Sequence, residues 1–499
     1  MKRILFILTA VILCASGLKA QKPEVHLLDL ETSIAIAKMS SYDILILRQN
    51  IKMAEFNLKA TTSSLKTHVD MDMQVPGFSN TIYEFRDPTG VVSYNPLKTN
   101  ALSGRLRVTQ PLPTDGNIFL EANPSVITDY TNDTRTSRFN TAVRLNQPLN
   151  AFFGYNDIQT NFKTAKLNYE SSQKRLTREE LNLVYNVSNN FYNLLAIQKR
   201  MDIAKLNLDR QKEAYDIAQN KFAVGLIREV DALQMEVDLA EAQNNYDLNR
   251  VNLETASNSF KELLGLPITD SITIDANMDY APVIVELDKA LEYARKSRLE
   301  LREQDIQIEL NELNLKRQKA QGRISGAINA SYGLTGIDDE DNPGAFNLNQ
   351  TTDRVITNLT DRGPNYGVSL DISIPIIDWG ENKARVNRAK AQLQQNIYQK
   401  EQLERSIDNE VRNLVANYSN SLKRLQLLEK NVAVAEKSFK ITLSRYSDGD
   451  IDSQALALER ERLNNAYLSH LSAYINYELL LADLMRKTYY DFKEDRPIN

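Results

Sequence analysis

Residues 221–246 read KFAVGLIREVDALQMEVDLAEAQNNY, and residues 445–468 read RYSDGDIDSQALALERERLNNAYL. When the two stretches are aligned, Phe222 pairs with Tyr446 and Gly225 pairs with Gly449. The similarity continues upstream, where QPLNAFFGYN (147–156) resembles IPIIDWGENK (374–383). A phrase repeated with its flanks indicates a tandem duplication, which predicts a chain of two similar halves.

Long tracts without glycine or proline carry the periodicity of helices. Apolar residues in these tracts recur at intervals of three and four, which is typical of helices that pack lengthwise against one another. The pattern predicts helices over 155–221, 228–264, 284–320, 381–446 and 452–490. Most Gly and Pro residues fall instead in two windows, 76–154 and 322–380.

The two windows change to an alternation of apolar and polar residues, which predicts strands over 66–148 and 323–376. Such strands suit a half-exposed soluble sheet or a membrane barrel with a lipid-facing outside and a wet lumen. The longer first window predicts an extra hairpin near 101–127, which either joins the barrel or lies outside it. Trp379, at the second strand-to-helix junction, either anchors at the membrane interface or packs under the turn. The predicted lipid-facing residues are Val69, Met71, Met73, Tyr366, Val368, Leu370 and Ile372.

The N-terminal residues 1–20 form a basic start, a short apolar run and a small residue at Ala20, which predicts a cleaved secretory signal peptide. The only cysteine, Cys14, lies within it, so the mature chain is expected to have no thiol chemistry. The formal net charge of -5, without basic blocks, gives no support for nucleic-acid binding. No catalytic constellation, metal site or cofactor motif is found, and we expect the protein not to be an enzyme.

The predicted organisation is a first repeat over 21–264, a linker over 265–282 and a second repeat over 283–499. The first repeat contains a helix, strands and two further helices, and the second repeat has the same order. Four or six strands cannot close a barrel, because closure requires about eight or more, and lipid cannot satisfy an open sheet edge. We therefore expect an oligomer, and a trimer would supply twelve strands, or eighteen with the extra hairpin.

The duplicated halves, the phrases FAVG (222–225) and YSDG (446–449), and the passage PIIDWGENKARVNRAKAQL (375–393) resemble the TolC family of outer-membrane efflux proteins. The resemblance covers almost the whole mature chain. It implies an α+β membrane protein, a homotrimer whose outer-membrane β-barrel is continued by a periplasmic α-helical barrel. It also implies surrounding outer-membrane lipid and two partners, a periplasmic adaptor protein and an inner-membrane pump. The implied function is a passive exit duct, and the alternative is a secreted periplasmic coiled-coil scaffold without channel activity.

The same resemblance implies that Phe222, Gly225, Tyr446 and Gly449 form helix-to-helix turns at the periplasmic tip. The best-known member of the family closes this tip with charged residues, but this sequence has Ile451, Ala455 and Leu458 at those positions. The first half retains one acid, Asp231. Asp448, Asp450 and Asp452 lie beside the second turn. They would form an acidic entrance in a trimer, or they are ordinary turn and cap residues.

Overall fold

The computed structural model describes residues 25–150, 154–275, 278–341, 344 and 346–498. The predicted signal peptide, 1–20, lies outside these residues. The chain divides into two compact units. The helical unit contains residues up to Gln49, Lys174–Arg302 and the chain from Glu401, and the sheet unit contains Asn50–Gln173 and Glu303–Lys400.

Helices account for most of the described chain. Among these residues no helix is both long enough and apolar enough to cross a membrane. The helices are α1 (Leu30–Ser40), α2 (Tyr42–Ser63), α3 (Asp157–Ala223), α4 (Glu229–Leu264), α5 (Leu287–Ser297), α6 (Leu299–Gln321), α7 (Leu348–Asp361), α8 (Glu381–Asp448) and α9 (Ser453–Thr488).

The single helix predicted over 284–320 is wrong, because the structure has two helices, α5 and α6, which meet at Arg298. Arg298 leaves the helical conformation with φ −64° and ψ 117°. Its buried guanidinium donates hydrogen bonds to the carbonyl oxygen of Lys487, at 2.9 Å, and to the carboxylate of Glu410, at 2.6 Å. Both partners are distant in sequence, so helical spacing alone gave no sign of this break.

A core of apolar and aromatic side chains from α1, α3, α5, α8 and α9 holds the helical unit together. Strand β1 (Val25–Leu28) pairs in parallel with β6 (Ser271–Ile274), which lies in the predicted linker 265–282. The chain after β6 is attached to the core by two tyrosine hydroxyls. Tyr477 donates to the carbonyl oxygen of Ala281 and Tyr418 to that of Val283, each at 2.9 Å.

The sheet unit contains one six-stranded antiparallel sheet in the order β2-β3-β4-β5-β7-β8. Its strands are β2 (His68–Arg86), β3 (Val92–Pro111), β4 (Asn117–Asp129), β5 (Thr134–Pro148), β7 (Ser325–Asp341) and β8 (Asn365–Ser373). Helices α2, α3, α6 and α8 connect to the same end of this sheet, which we call the helix-connected end.

The second strand window, predicted as 323–376, also contains the helix α7. The apolar side of this helix packs against β5 and β7, where Thr351 and Val355 are buried. Gly336 permits the contact, because a Cβ atom at that position would lie 2.2 Å from the carbonyl oxygen of Val355. The strand prediction for the middle of this window is therefore wrong, because packing on a sheet stabilises a helix that composition assigned to strands and turns.

Candidate functional site

Two turns of matching geometry connect the paired long helices of the helical unit. In the first, the amide of Gly225 donates to Phe222 O and that of Leu226 donates to Lys221 O, both at 2.9 Å. In the second, the amide of Gly449 donates to Tyr446 O at 3.1 Å and that of Asp450 donates to Arg445 O at 2.9 Å. This pair of bonds is a Schellman motif.

Both turns require a left-handed residue. Gly225 has φ +76° and Gly449 has φ +86°, a conformation that glycine adopts without the steric cost of a Cβ atom. A Cβ atom on either glycine would meet nothing within 4 Å. The backbone conformation, rather than crowding, therefore determines the choice of glycine here.

The aromatic residues of the two turns occupy different environments. Tyr446 is 3% exposed and belongs to a cluster with Met235, Phe439 and Leu456, whereas Phe222 is 41% exposed. Burial raises the pKa of the Tyr446 hydroxyl, and the nearby Asp231 carboxylate raises it further. The structure thus brings Tyr446 and Asp231 together and leaves Phe222 at the surface.

Basic residues that the sequence pattern did not single out connect the two helix pairs near the turns. The Lys221 ammonium donates to Tyr446 O and lies 4.4 Å from the centre of its ring. Farther along the helices, Arg460 forms an ion pair with Asp238 at 3.2 Å. The repeat contains a sign that Lys221 has a role in the turn, because a basic residue, Lys221 or Arg445, lies four residues before each glycine.

The candidate entrance residues do not form one cluster within a single chain. Ile451 packs against the Tyr446 cluster, while Ala455 and Leu458 are exposed on the first turns of α9. Asp231 pairs with Arg228 at 3.1 Å, and hydrogen bonds from that guanidinium lower the pKa of Asp231.

The three aspartates of the second turn differ in their contacts. Asp448 and Asp450 are exposed, and Asp450 lies 4.0 Å from Arg445. The Asp452 carboxylate accepts a hydrogen bond from the Ala455 amide at 2.9 Å and caps α9. All three aspartates are exposed, but only Asp452 has a structural role as a helix cap.

In the sheet unit, strand register divides the side chains between an apolar face and a polar face. Residues paired directly across antiparallel strands lie on the same face, so Met71, Leu106, Ala122, Thr141, Leu334 share one face. All seven predicted lipid-facing residues lie on this apolar face, and each is more than half exposed. The face also includes Leu120, Val143 and Tyr332, which are 52%, 46% and 53% exposed.

The opposite, polar face is concave and forms a groove of about 790 Å³, lined mostly by Asn, Ser, Thr and charged side chains, with Phe119 among them. Glu121 lies at its floor with a side chain only 5% exposed. Its carboxylate accepts from Arg107 Nε at 2.7 Å and lies 3.5 Å from Arg144. These ion pairs connect β3, β4 and β5 across the polar face.

Helix α7 covers the apolar face at the end of the sheet farthest from the helix-connected end. Arg354 pairs with Asp338 at 2.9 Å, and Asn358 donates to Ile337 O at 2.9 Å. These contacts are at Gly336, Ile337 and Asp338, and the nine residues of β7 from Gly326 to Leu334 precede them. At about 3.3 Å per residue these nine residues extend roughly 30 Å. In a strand tilted by about 40° from the membrane normal, they span about 23 Å along that normal. This height is close to the apolar band of membrane barrels, which is roughly 25 Å tall.

Exposed apolar side chains also mark the helix-connected end. Ile376, Ile377 and Trp379, between β8 and α8, are 89%, 71% and 96% exposed. Trp379 therefore does not pack under the turn, and the alternative prediction, that it anchors at the membrane interface, remains. Aromatic side chains favour the boundary between lipid and water.

The sequence model of the family described as outer membrane efflux protein matches residues 118–266 and 344–483. Among curated proteins, Nodulation protein T of Rhizobium leguminosarum bv. trifolii is 18% identical over 331 residues. The alignment covers 64% of this chain and 64% of the length of that relative.

Several solved structures of outer-membrane proteins resemble almost the whole chain. The CmeC outer membrane channel of Campylobacter jejuni has a TM-score of 0.67 at 14% identity, covering 97% of this chain and 92% of that chain. The MtrE outer membrane channel of Neisseria gonorrhoeae has a TM-score of 0.65 at 16% identity, covering 94% and 90%. The outer membrane protein VceC of Vibrio cholerae has a TM-score of 0.65 at 14% identity, covering 94% and 97%. At these identities the likeness shows a shared fold.

Proposed function

Because the chain belongs to the outer membrane efflux protein family, we propose that it is the passive exit duct of a tripartite efflux or secretion system. The family match confirms the resemblance inferred from the repeated phrases and gives the location as the outer membrane. The matched proteins are channels rather than enzymes. In this proposal, three copies assemble, and an inner-membrane pump and a periplasmic adaptor deliver the cargo.

The two-faced sheet is the observation that supports the duct most directly. One face is apolar over about the height of a membrane, and the other is concave and polar. A secreted scaffold has no use for an exposed apolar face, since a large exposed apolar patch on a soluble protein promotes aggregation. We propose that the apolar face contacts lipid and that the polar face lines the lumen.

The helix pairs supply the other end of the duct in this proposal. Turns at Gly225 and Gly449 lie at the periplasmic tip, so a trimer has six such turns around its entrance. Lys221 and Arg460 connect the two helix pairs within each chain. The exposed carboxylates of Asp448 and Asp450 contribute negative charge beside the entrance.

The proposal predicts that the protein fractionates with the outer membrane and migrates as a trimer that resists mild detergent. Open edges of the sheet must be paired inside lipid, so assembly precedes stable insertion. Membrane fractionation followed by unheated and heated gel electrophoresis tests this. Recovery of a monomer from the periplasm without detergent would contradict both the barrel and the duct.

A second prediction concerns the acidic residues beside the entrance. Replacing Asp448, Asp450 and Asp452 together with Asn removes three negative charges per chain and weakens the attraction of cations. In single-channel recordings we expect a reduced cation preference and a weaker block by divalent ions. Assembly should not change, because Asn caps helices about as well as Asp.

The single variant Asp452→Asn is the control, since it retains the cap and the carboxylates of Asp448 and Asp450. We expect it to conduct almost as the wild type does. If the triple variant also retains wild-type selectivity and block, the three aspartates are only turn and cap residues.

A further inference from the structure

The extra hairpin, β3 and β4, lies inside the sheet rather than beside it. It is paired with β2 on one side over residues 92–109 and with β5 on the other over residues 117–129. Each of its strands has 13 residues or more, whereas about 9–11 residues span a membrane. Both strands are therefore long enough to belong to a barrel wall.

The faces of the hairpin continue the faces of its neighbours. Leu106 and Leu120 belong to the apolar face that Met71 and Val143 also form. Arg107 of β3 pairs with Glu121 of β4, which also pairs with Arg144 of β5 on the polar face. A flap outside the barrel would not need to present apolar and polar faces in register with the strands beside it.

The sheet has the stagger of a barrel wall across all six strands. One row of paired residues crosses the whole sheet and ends at Asp70 in β2 and at Asn365 in β8. Asp70 lies two residues from the helix-connected end of its strand, whereas Asn365 lies eight residues from it. This stagger of six residues over five strand steps corresponds to a tilt of about 40° for strands about 4.8 Å apart. Closed barrels have tilts of roughly 35–45°.

The two edges of the sheet are similar in length and share one pattern. Edge strand β8 has nine residues, Asn365–Ser373. Edge strand β2 has a bulge between Gln74 and Gly77, and Pro76 lacks the amide needed for further pairing. Between the helix-connected end and this bulge, β2 has seven residues, His68–Gln74, against nine in β8, and both segments alternate apolar and polar residues.

We infer that the barrel formed by three copies has eighteen strands, six from each chain, with β8 of one copy paired to β2 of the next. This inference rests on the proposed trimeric duct and specifies its membrane part. Because barrel diameter grows roughly linearly with strand number, this barrel is about 1.5 times as wide as one of twelve strands. Its wet lumen would admit large hydrated cargo, such as polypeptides, through the outer membrane.

Engineered cysteine pairs test the joint between copies, since the sequence has no cysteine after Cys14. Asp70 and Asp72 of β2 are each combined with Ser369 or Asp371 of β8, all four on the polar face. We expect at least one combination to form disulfide-linked dimers and trimers in membranes. The matched control, Asp72→Cys with Leu370→Cys, places the thiols on opposite faces and should not cross-link.

A nitroxide label on Leu120→Cys tests whether the hairpin belongs to the wall. Lipid-soluble oxygen should relax this label as strongly as one on Val368→Cys, whereas a label on Asn132→Cys, in an exposed turn, should respond to a water-soluble quencher. A detergent-resistant trimer whose Leu120 label responds like the Asn132 label would overturn eighteen strands in favour of twelve. A trimer in which none of the four combinations cross-links would refute the joint between β8 and β2, whereas absence of any trimer would refute the proposed duct itself.

Discussion

Gly449→Val is expected to abolish most export while leaving the protein in the outer membrane as a trimer. The turn holds Gly449 at φ +86°, and an L-residue pays roughly 1–2 kcal/mol for the left-handed conformation. The energetic cost is higher for valine, because a side chain branched at Cβ is sterically unfavourable at positive φ. In each chain, the equilibrium constant that favours the native turn over other conformations therefore falls by a factor of roughly 5–30. A trimer carries three copies of the change.

The physical consequence follows from the two hydrogen bonds of the turn. When residue 449 moves to negative φ, the bonds to Tyr446 O and Arg445 O are lost. Ile451 then leaves the cluster around Tyr446, and the first turn of α9 loses its position. Dye efflux from cells and trimer recovery from membranes measure the two expected results separately.

Two matched variants make this result specific. Gly449→Asn should retain most export, because Asn tolerates the left-handed conformation better than valine does. Gly363→Val should export as the wild type does, since Gly363 has open space around it and an ordinary φ. Wild-type export by Gly449→Val would show that the turn is not required for the duct.

The repeat and the helices could be predicted from sequence because both leave a local signal. Spacing predicts a helix over 228–264, and the structure has Glu229–Leu264, ending where Gly265 takes a left-handed conformation. Alternation likewise assigned Met71 and Val368 to one face, since side-chain direction in a strand follows a period of two.

The features that sequence did not reveal depend on contacts between distant residues. Arg298 separates α5 from α6 only because Glu410 and Lys487 fold against it. Helix α7 forms in a window rich in Gly and Pro because β5 and β7 offer an apolar surface to Val355. Arg460 and Asp238 each resemble ordinary surface charges until α4 and α9 come together.

Met71→Arg is expected to destabilise the assembled barrel by about 2–4 kcal/mol per chain if the site lies near the bilayer midplane. Met71 is 66% exposed on the apolar face, so assembly would place the new guanidinium in lipid. Asp72→Arg changes the next residue, on the polar face, and its side chain remains in water. The new arginine at residue 72 lies opposite Arg105 of β3. Such a like-charge pair lowers stability by at most about 1 kcal/mol.

The difference between the two variants is therefore the informative quantity, and Gln74→Arg sharpens it. Gln74 also lies on the polar face, opposite Ser103, and its replacement removes one exposed hydrogen bond. Urea unfolding of trimers in detergent micelles or bilayers should rank Met71→Arg well below the other two, which should mainly alter ion selectivity. Equal loss of stability in all three would mean that the assignment of the apolar face to lipid is wrong.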